Sequence, residues 1–505
     1  MSKAPEHLSQ QELESYLWGA ANLLRGLIDA GDYKQYVFPL LFFKRLSDVW
    51  DEEYQNARDE TGDVSYARAT ADDRFAIPDD AHWSDVRKAS RDVGRALLNA
   101  FRAIEAANPK RLSGIFGNAS WTDKAQMPDE TLKNLMEHFS QRTLSLAAVP
   151  EDELGNAYEY LIKQFADDSG HTAQEFYTNR TLVHLMTQML EPQAGERIYD
   201  PTVGTGGMLI SSLAEVKRRG GDTRTLGLYG QELIHITAAI ARMNLVLHGV
   251  EDFEIVPGDT LSSPAFIERD RLQTFDVVLA NPPYSIRKWN RDAWQNDPWG
   301  RNSLGTPPQG RADYAFLQHI LKSLAPKTGR CAILFPHGVL FRNEEKEMRR
   351  KLVELDLLEC VLGLGPNLFY NSPMEACVVI CRTLKPRDRK ERILFIDAVG
   401  EVARERAQSF LKPEHQHRIL GAYQAFANDP GFAKIATIAD VLERDGNLSI
   451  PRYVRAIGDV ARNEGDQGLN AAWAEFEARG REFWQQIDAL VDLLDGVVAD
   501  EAGDA

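Results

Sequence analysis

The tetrapeptide Asn281-Pro282-Pro283-Tyr284 gathers unusual chemistry at one point of this 505-residue chain. Two successive prolines remove two backbone donors and stiffen the turn. The Asn281 side-chain oxygen and a backbone carbonyl of the turn are left as acceptors, and one exocyclic amino group can donate to both. Tyr284 adds a flat face on which a planar ring stacks. Such a site suits an amino group on a planar, conjugated system: adenine N6, cytosine N4 or a glutamine amide. Read alone, the four residues would also make a plain strand-to-loop turn, so their neighbours decide.

About 80 residues upstream, Ile198-Tyr199-Asp200-Pro201-Thr202-Val203-Gly204-Thr205-Gly206-Gly207 reads as a short strand, a glycine-rich turn and the start of a helix. Glycines there let the backbone approach a ligand closely. The spacing fails the dinucleotide fingerprint, and no Gly-Lys-Ser/Thr follows to make a phosphate-binding loop. Asp200 at the strand end suits a ligand carrying positive charge and polar NH or OH groups rather than a pyrophosphate. The next apolar segment ends in Glu232, where a ribose diol is held in doubly wound folds. A third, Phe253 to Val256, runs into Gly258-Asp259-Thr260, and Asp259 there can accept from an adenine amino group. Each acid alone reads as a turn or a helix cap; four such strand ends in order do not.

These residues need a scaffold that delivers strand ends to one edge. From about residue 151 the pattern alternates strand and helix. Strands are predicted at 197–200, 226–231, 253–256, 275–280, 330–335, 357–363, 376–382 and 392–397. Alternation of this kind means an α/β, doubly wound, mostly parallel sheet with helices on both faces. Ligands in such folds bind at the carboxyl ends of the strands, where every motif above falls. Residues 8 to about 150 read as mainly helical, from periodic apolar sets such as Leu13-Tyr16-Leu17-Ala20-Leu24. A polar, less ordered stretch is expected from about Asn56 to Pro78, and a linker or turn at Asn118 to Asp123. After about residue 400 the chain is predicted to return to helix, with a leucine-rich helix from Ala471 to Leu494 and a frayed acidic tail from Asp495 to Ala505.

The ordered set Asp-Pro-x-x-Gly-Thr-Gly-Gly, Gln-Glu, Gly-Asp and Asn-Pro-Pro-Tyr resembles the S-adenosylmethionine-dependent amino-methyltransferases of DNA. More narrowly, the chain resembles the modification subunit of type I restriction-modification systems. Gln174-Glu175-Phe176-Tyr177-Thr178-Asn179 resembles that family's cofactor-covering segment, with Asn179 where most members have proline. Tyr36 to Asp48 and Asn447 to Tyr453 resemble the family too.

The resemblance implies a seven-stranded methyltransferase sheet with an antiparallel strand near its edge. It implies three parts: a helical N-terminal domain (1–150) for DNA or partner contacts, a methyltransferase domain (151–400), and a helical C-terminal region (401–505) that meets a specificity subunit. The implied activity is methyl transfer from S-adenosylmethionine to adenine N6 in duplex DNA, with the target base flipped out of the stack. Asn281 and the Pro282 carbonyl would accept from N6, on a turn stiffened by Pro283, while Tyr284 stacks on the base. Asp200, Pro201, Gly204, Thr205, Gly206 and Gly207 would hold the methionine end of the cofactor. Glu232 would take the ribose, and Asp259 with Thr260 the adenine edge. Gln174, Glu175, Phe176, Tyr177, Thr178 and Asn179 would close over it, and no metal is needed. An N4-cytosine DNA methyltransferase is chemically close, although serine more often opens the motif there. Protein-glutamine N5-methyltransferases share the motif but tend to be shorter, without matching helical ends.

A formal charge of −17 is wrong for a protein that grips DNA by itself, because phosphate neutralisation supplies most non-specific affinity. The resemblance resolves the conflict through partners: a specificity subunit that reads double-stranded DNA, two modification chains to one of it, and possibly a restriction subunit. One segment runs against the global charge. Ser285 to Ala312 carries Arg287, Lys288, Arg291, Arg301 and Arg311 against Asp292 and Asp297, so five minus two gives +3, and it holds Trp289, Trp294 and Trp299. Basic and aromatic side chains beside the reactive turn suit contact with an unstacked strand, first through Arg287, Lys288, Trp289 and Arg291. No apolar run approaches the ~18 residues that span a bilayer, and no early stretch reads as a signal peptide. Cys331, Cys360, Cys377 and Cys381 lack metal-ligand spacing and read as buried reduced thiols, which points to the cytoplasm.

Overall fold

Val277 to Ala280 is apolar at every position because both faces of its strand are covered. The computed structural model describes residues 8–168, 178–366, 368, 375–405 and 408–454. Among them the central sheet has nine strands: β1 (Arg197–Asp200), β2 (Gly227–Glu232), β3 (Phe253–Pro257), β4 (Val277–Ala280), β5 (Arg330–Pro336), β6 (Leu358–Leu364), β7 (Ala376–Arg382), β8 (Arg392–Ala398) and β9 (Ala433–Thr437). Their spatial order is β9-β8-β6-β7-β5-β4-β1-β2-β3. Seven run parallel; β7 is antiparallel to both β5 and β6, and β9 is antiparallel to β8. The order reverses at β1, which lies between β4 and β2, so the ends of these three strands face one crevice.

All eight predicted strands are present, and the α/β doubly wound class is as expected. Two details differ. The antiparallel β7 sits inside the sheet rather than near its edge. The ninth strand, β9, lies in a region expected to be helical; it pairs along five residues of β8 and takes its place as the edge strand. A small hairpin, 403–405 with 408–410, also falls there.

Before the sheet come helices α1 (Gln10–Asn22), α2 (Lys34–Thr61), α3 (Val64–Arg74), α4 (Trp83–Arg87), α5 (Val93–Ala107), α6 (Asp129–Phe139), α7 (Glu151–Asp168) and α8 (Arg180–Leu190). Tyr36 to Ser47 of α2 is buried on every side, so this helix is the axis of the helical layer rather than a surface element. Arg45 survives there by donating to the carbonyls of Leu144, Ser145 and Val149. The expected loose stretch after Asn56 is instead helical. Gly62 ends α2 with φ 71°, and Asp63 caps α3 by accepting from the amides of Ser65 and Tyr66. Only Ala67 and Ala71 of α3 are buried, which is too little apolar signal to show a period.

Between the strands lie α9 (Gly207–Arg218), α10 (His235–Leu247), α11 (Arg291–Gln295), α12 (Asp313–Lys322) and α13 (Lys346–Glu354), with α14 (Pro413–Ala425) and α15 (Ile438–Glu443) after them. Helix α10 is buried on two sides. Ala239, Ile240, Met243 and Leu247 join the core of the helical layer, together with α7, while Ala238, Ala241 and Leu245 join the core on one face of the sheet. The four cysteines are buried and unbridged. No helix among the described residues is long and apolar enough to cross a membrane. The leucine-rich helix and acidic tail expected beyond residue 470 lie outside the described residues.

Candidate active site

Strand β1 ends in Asp200, which is 2% exposed. Its Oδ1 accepts from the Thr202 amide at 3.0 Å. Burial pushes the carboxyl up to about 8; the Thr202 amide pulls it back and the nearby Glu232 charge adds to the rise. The glycine-rich turn then climbs into α9. Gly204 and Gly206 take φ 53° and 87°, a left-handed backbone that glycine adopts without strain. A Cβ at Gly207 would point into open space, so the turn presents bare backbone to the crevice. Its far side is pinned: Asn244 of α10 donates to the Thr205 carbonyl at 2.9 Å, and the Thr260 hydroxyl donates to that of Pro201 at 2.6 Å.

The acids of the next two strand ends are held by backbone amides of the turns around them. Glu232 accepts from the amides of Gly204 at 3.0 Å and Ile234 at 2.9 Å. Asp259 accepts from the Leu261 amide at 2.9 Å and the Ser262 hydroxyl at 2.8 Å. A carboxylate oxygen can accept more than one hydrogen bond, so a ligand can share these acids with their turns.

At the end of β4 the Asn281 amide donates to the Thr178 hydroxyl at 2.8 Å, and its Oδ1 accepts from the Tyr284 hydroxyl at 2.8 Å. Burial raises the Tyr284 hydroxyl well above its ordinary value, so it stays a donor. Thr178, expected only to close over a cofactor, is therefore also the residue that fixes which way the Asn281 amide faces.

One cleft of about 2120 Å³ joins these strand ends. It is lined by Thr178, Asp200, Pro201, Gly204, Thr205, Gly207, Glu232, Asp259, Thr260, Asn281, Pro283 and Tyr284, and by Arg287, Lys288 and Trp289 of the following loop. Gly206 and Pro282 do not line it. Nor does Asn179: its Oδ1 caps α8 by accepting from the Thr181 amide, and its amide donates to the Ser409 carbonyl. Gln174, Glu175, Phe176 and Tyr177 lie outside the described residues.

The basic loop is more ordered than its composition suggests. Arg301 is 1% exposed. Its guanidinium lies 4.4 Å from the Trp294 ring centre and 4.8 Å from that of Trp299, and it pairs with Asp297 at 2.6 Å. It also donates to the carbonyls of Thr260 and Leu261, at 3.0 and 2.7 Å. Arg301 and buried Trp294 thus hold the loop on the turn after β3 and are withdrawn from any contact with a nucleic acid. The pair with Asp297 cancels, and the remaining four cations against Asp292 leave +3. Arg291 donates to the Pro307 carbonyl at 2.8 Å and is absent from the cleft wall.

Sequence reasoning missed Leu233, Ile234 and Leu261, apolar wall residues directly after or near the acids. Leu233 is 65% exposed and lines the cleft, so it offers apolar surface there. The signal was available in the Glu232-Leu233-Ile234 order. That of Asn244, 44 residues after the strand it serves, was not.

A profile of the family described as N-6 DNA Methylase matches residues 149–459, more than half of the chain, and one described as the HsdM N-terminal domain matches residues 13–139. The type I restriction enzyme HindI methylase subunit of Haemophilus influenzae is 30% identical over 72% of this chain and 83% of its own length. The MjaIX methylase subunit of Methanocaldococcus jannaschii is 28% identical over 95% of this chain and 88% of its own. The crystal structure of the type I restriction-modification methyltransferase subunit from Streptococcus thermophilus superposes with a TM-score of 0.78 at 32% identity, covering 89% of this chain and all of that one. The glycine-rich turn, the acids of the next two strand ends and the Asn-Pro-Pro-Tyr turn meet in one crevice on a fold these proteins share: the chain belongs to the N-6 DNA methylase family, as a methylase subunit of the type I restriction-modification kind.

Proposed function

We propose that this chain methylates adenine N6 in duplex DNA through Asn281 and Tyr284, with S-adenosylmethionine held at the ends of β1, β2 and β3, and that a separate specificity subunit supplies sequence recognition. The observation that carries the reading is the opening of the Asn281–Tyr284 turn onto the same cleft as Asp200, Glu232 and Asp259.

The residues present fit the cofactor. A buried carboxyl poised to ionise suits a cationic amino acid end, bare backbone at Gly204 and Gly207 allows close approach, and the exposed Leu233 suits a flat ring. When bound, S-adenosylmethionine supplies an electrophilic methyl group. The chain's own part is positioning. Asn281 Oδ1 accepts from N6, turning the nitrogen lone pair away from the ring; the Pro282 carbonyl, expected to share that role, is not on the cleft wall. Thr178 keeps the Asn281 oxygen facing the target. The Tyr284 hydroxyl, which occupies that oxygen in this structure, gives way to the amino group while its ring stacks on the base. Arg287, Lys288 and Trp289 line the same cleft, where they could meet a flipped base.

The acidity of the chain supports an assembly, because −17 charges oppose unaided binding to a polyanion. We read it as two copies of this chain with one specificity subunit, acting in the cytoplasm and with a restriction subunit able to join. The test is sequencing with modified-base detection on DNA from cells expressing this chain with and without its specificity subunit. N6-methyladenine in a split motif is expected only when both are present. Methylation by the chain alone would remove the partner, and methylated cytosine would remove the adenine.

A further inference from the structure

The residue after the tetrapeptide, Ser285, is held at φ 50°, a left-handed conformation that side chains other than glycine resist. Its amide donates to Asp313 Oδ1 at 2.8 Å. Asp313 is 1% exposed and stands in the first turn of α12, where a helix favours negative charge. Its Oδ2 accepts from both terminal nitrogens of Arg342, each at 3.0 Å. The Arg342 carbonyl in turn accepts from buried Arg349 of α13 at 2.6 Å. A chain of charge-assisted contacts therefore runs from the base of α13 to the strained bend that follows Tyr284.

We propose that Asp313 is a positioning residue for methyl transfer: braced by Arg342, it holds the Ser285 amide and so fixes the bend that aims Tyr284 and Asn281 at the target base. The inference rests on the reading of Asn281 and Tyr284 as the target site. Asp313 touches neither base nor cofactor; it sets where Asn281 and Tyr284 of the turn point. A misaimed turn should leave the cofactor site intact, because Asp200, Glu232 and Asp259 are held by the amides of Thr202, Gly204 and Leu261, none of which belongs to the Asn281–Ser285 turn.

The alternative is that the Asp313–Arg342 pair merely packs α12 against the segment that leads into α13. Substitution at position 285 separates the two. Asp313→Asn keeps an acceptor but loses the charge. Ser285→Gly removes the conformational resistance that the charge works against. Single-turnover methyl transfer is measured in the complex with its specificity subunit and DNA, with S-adenosylmethionine affinity from calorimetry alongside. Expected for Asp313→Asn is a roughly ten- to hundredfold slower transfer with cofactor affinity within about twofold, and recovery of most of the rate in Asp313→Asn/Ser285→Gly. Arg342→Lys, the milder second variant, should slow transfer by less and also respond to glycine. An unchanged rate, a rate that glycine does not restore, or a parallel loss of cofactor affinity overturns the proposal. Asn281→Ala run beside them tests the underlying reading: if it stays active, the target site itself is misassigned.

Discussion

Asp200 is the residue whose charge state decides most. Its carboxyl rises from 3.8 to about 8 mainly through burial, so the folded chain holds a proton that the unfolded chain releases. Stability from this group is fully present below about pH 4 and is lost as pH rises through 8. A cationic ligand reverses the preference by stabilising the carboxylate. S-adenosylmethionine affinity should therefore climb with pH, by up to about tenfold per unit below pH 8, with release of one proton on binding at pH 7. Calorimetry in two buffers of different ionisation heat measures both. Asp200→Asn should bind weakly, with no proton release and a flat profile; a pH-dependent Asp200→Asn would place the titrating group elsewhere. The sequence showed Asp200, Glu232, Asp259 and Asn281, since motif spacing is local. It could not show that Thr178, 103 residues from Asn281, fixes the amide of that side chain. Such a contact exists only once α8 and β4 are packed.

At the scale of elements, the segment from Ser285 to Ala312 shows why composition alone misleads. Counting charges put Arg301 in the sum of a basic, DNA-facing loop; folding made it the rivet of the loop, stacked by two tryptophans and tied to the turn after β3. Its Nη1 also lies 3.3 Å from Nδ1 of His319, whose other ring nitrogen is 3.1 Å from the Tyr199 hydroxyl of β1. Burial pushes His319 well below its ordinary value, so it stays neutral beside the guanidinium. Arg301→Ala leaves Asp297 buried without its partner and should cost about 3–5 kcal/mol in chemical denaturation followed by tryptophan emission. Arg301→Lys should recover only part, because a point charge cannot reproduce the fork. An Arg301→Ala protein of unchanged stability would mean the loop is held by something else. The strands of the sheet were legible because burial on both faces makes them continuously apolar. Strand β9 and helix α3 were not, since each buries only two residues.

At the scale of the molecule, the boundary read near residue 150 crosses a shared core. Leu154, Tyr158, Leu161 and Phe165 of α7 are fully buried among residues of α2, α5 and α6, and α10 completes the same cluster. A fragment ending at residue 150 should therefore expose that apolar face and aggregate or stay unfolded, whereas one extended through α7 should be more soluble though incomplete. Circular dichroism and size-exclusion chromatography of the two fragments decide this. A folded, monomeric 1–150 fragment would show that α7 and α10 are passengers of the helical layer.

Helix α10 wedges one face into each core, and the Asn244 side chain it carries grips the Thr205 carbonyl. Tyr158 of α7 adds a hydrogen bond to the Ile240 carbonyl at 3.3 Å. Close-packed interiors transmit displacement rather than absorb it. The helical layer and the glycine-rich turn are thus two arms of one lever with α10 as its fulcrum, so that a displacement of the layer is expected to reach the backbone of the turn.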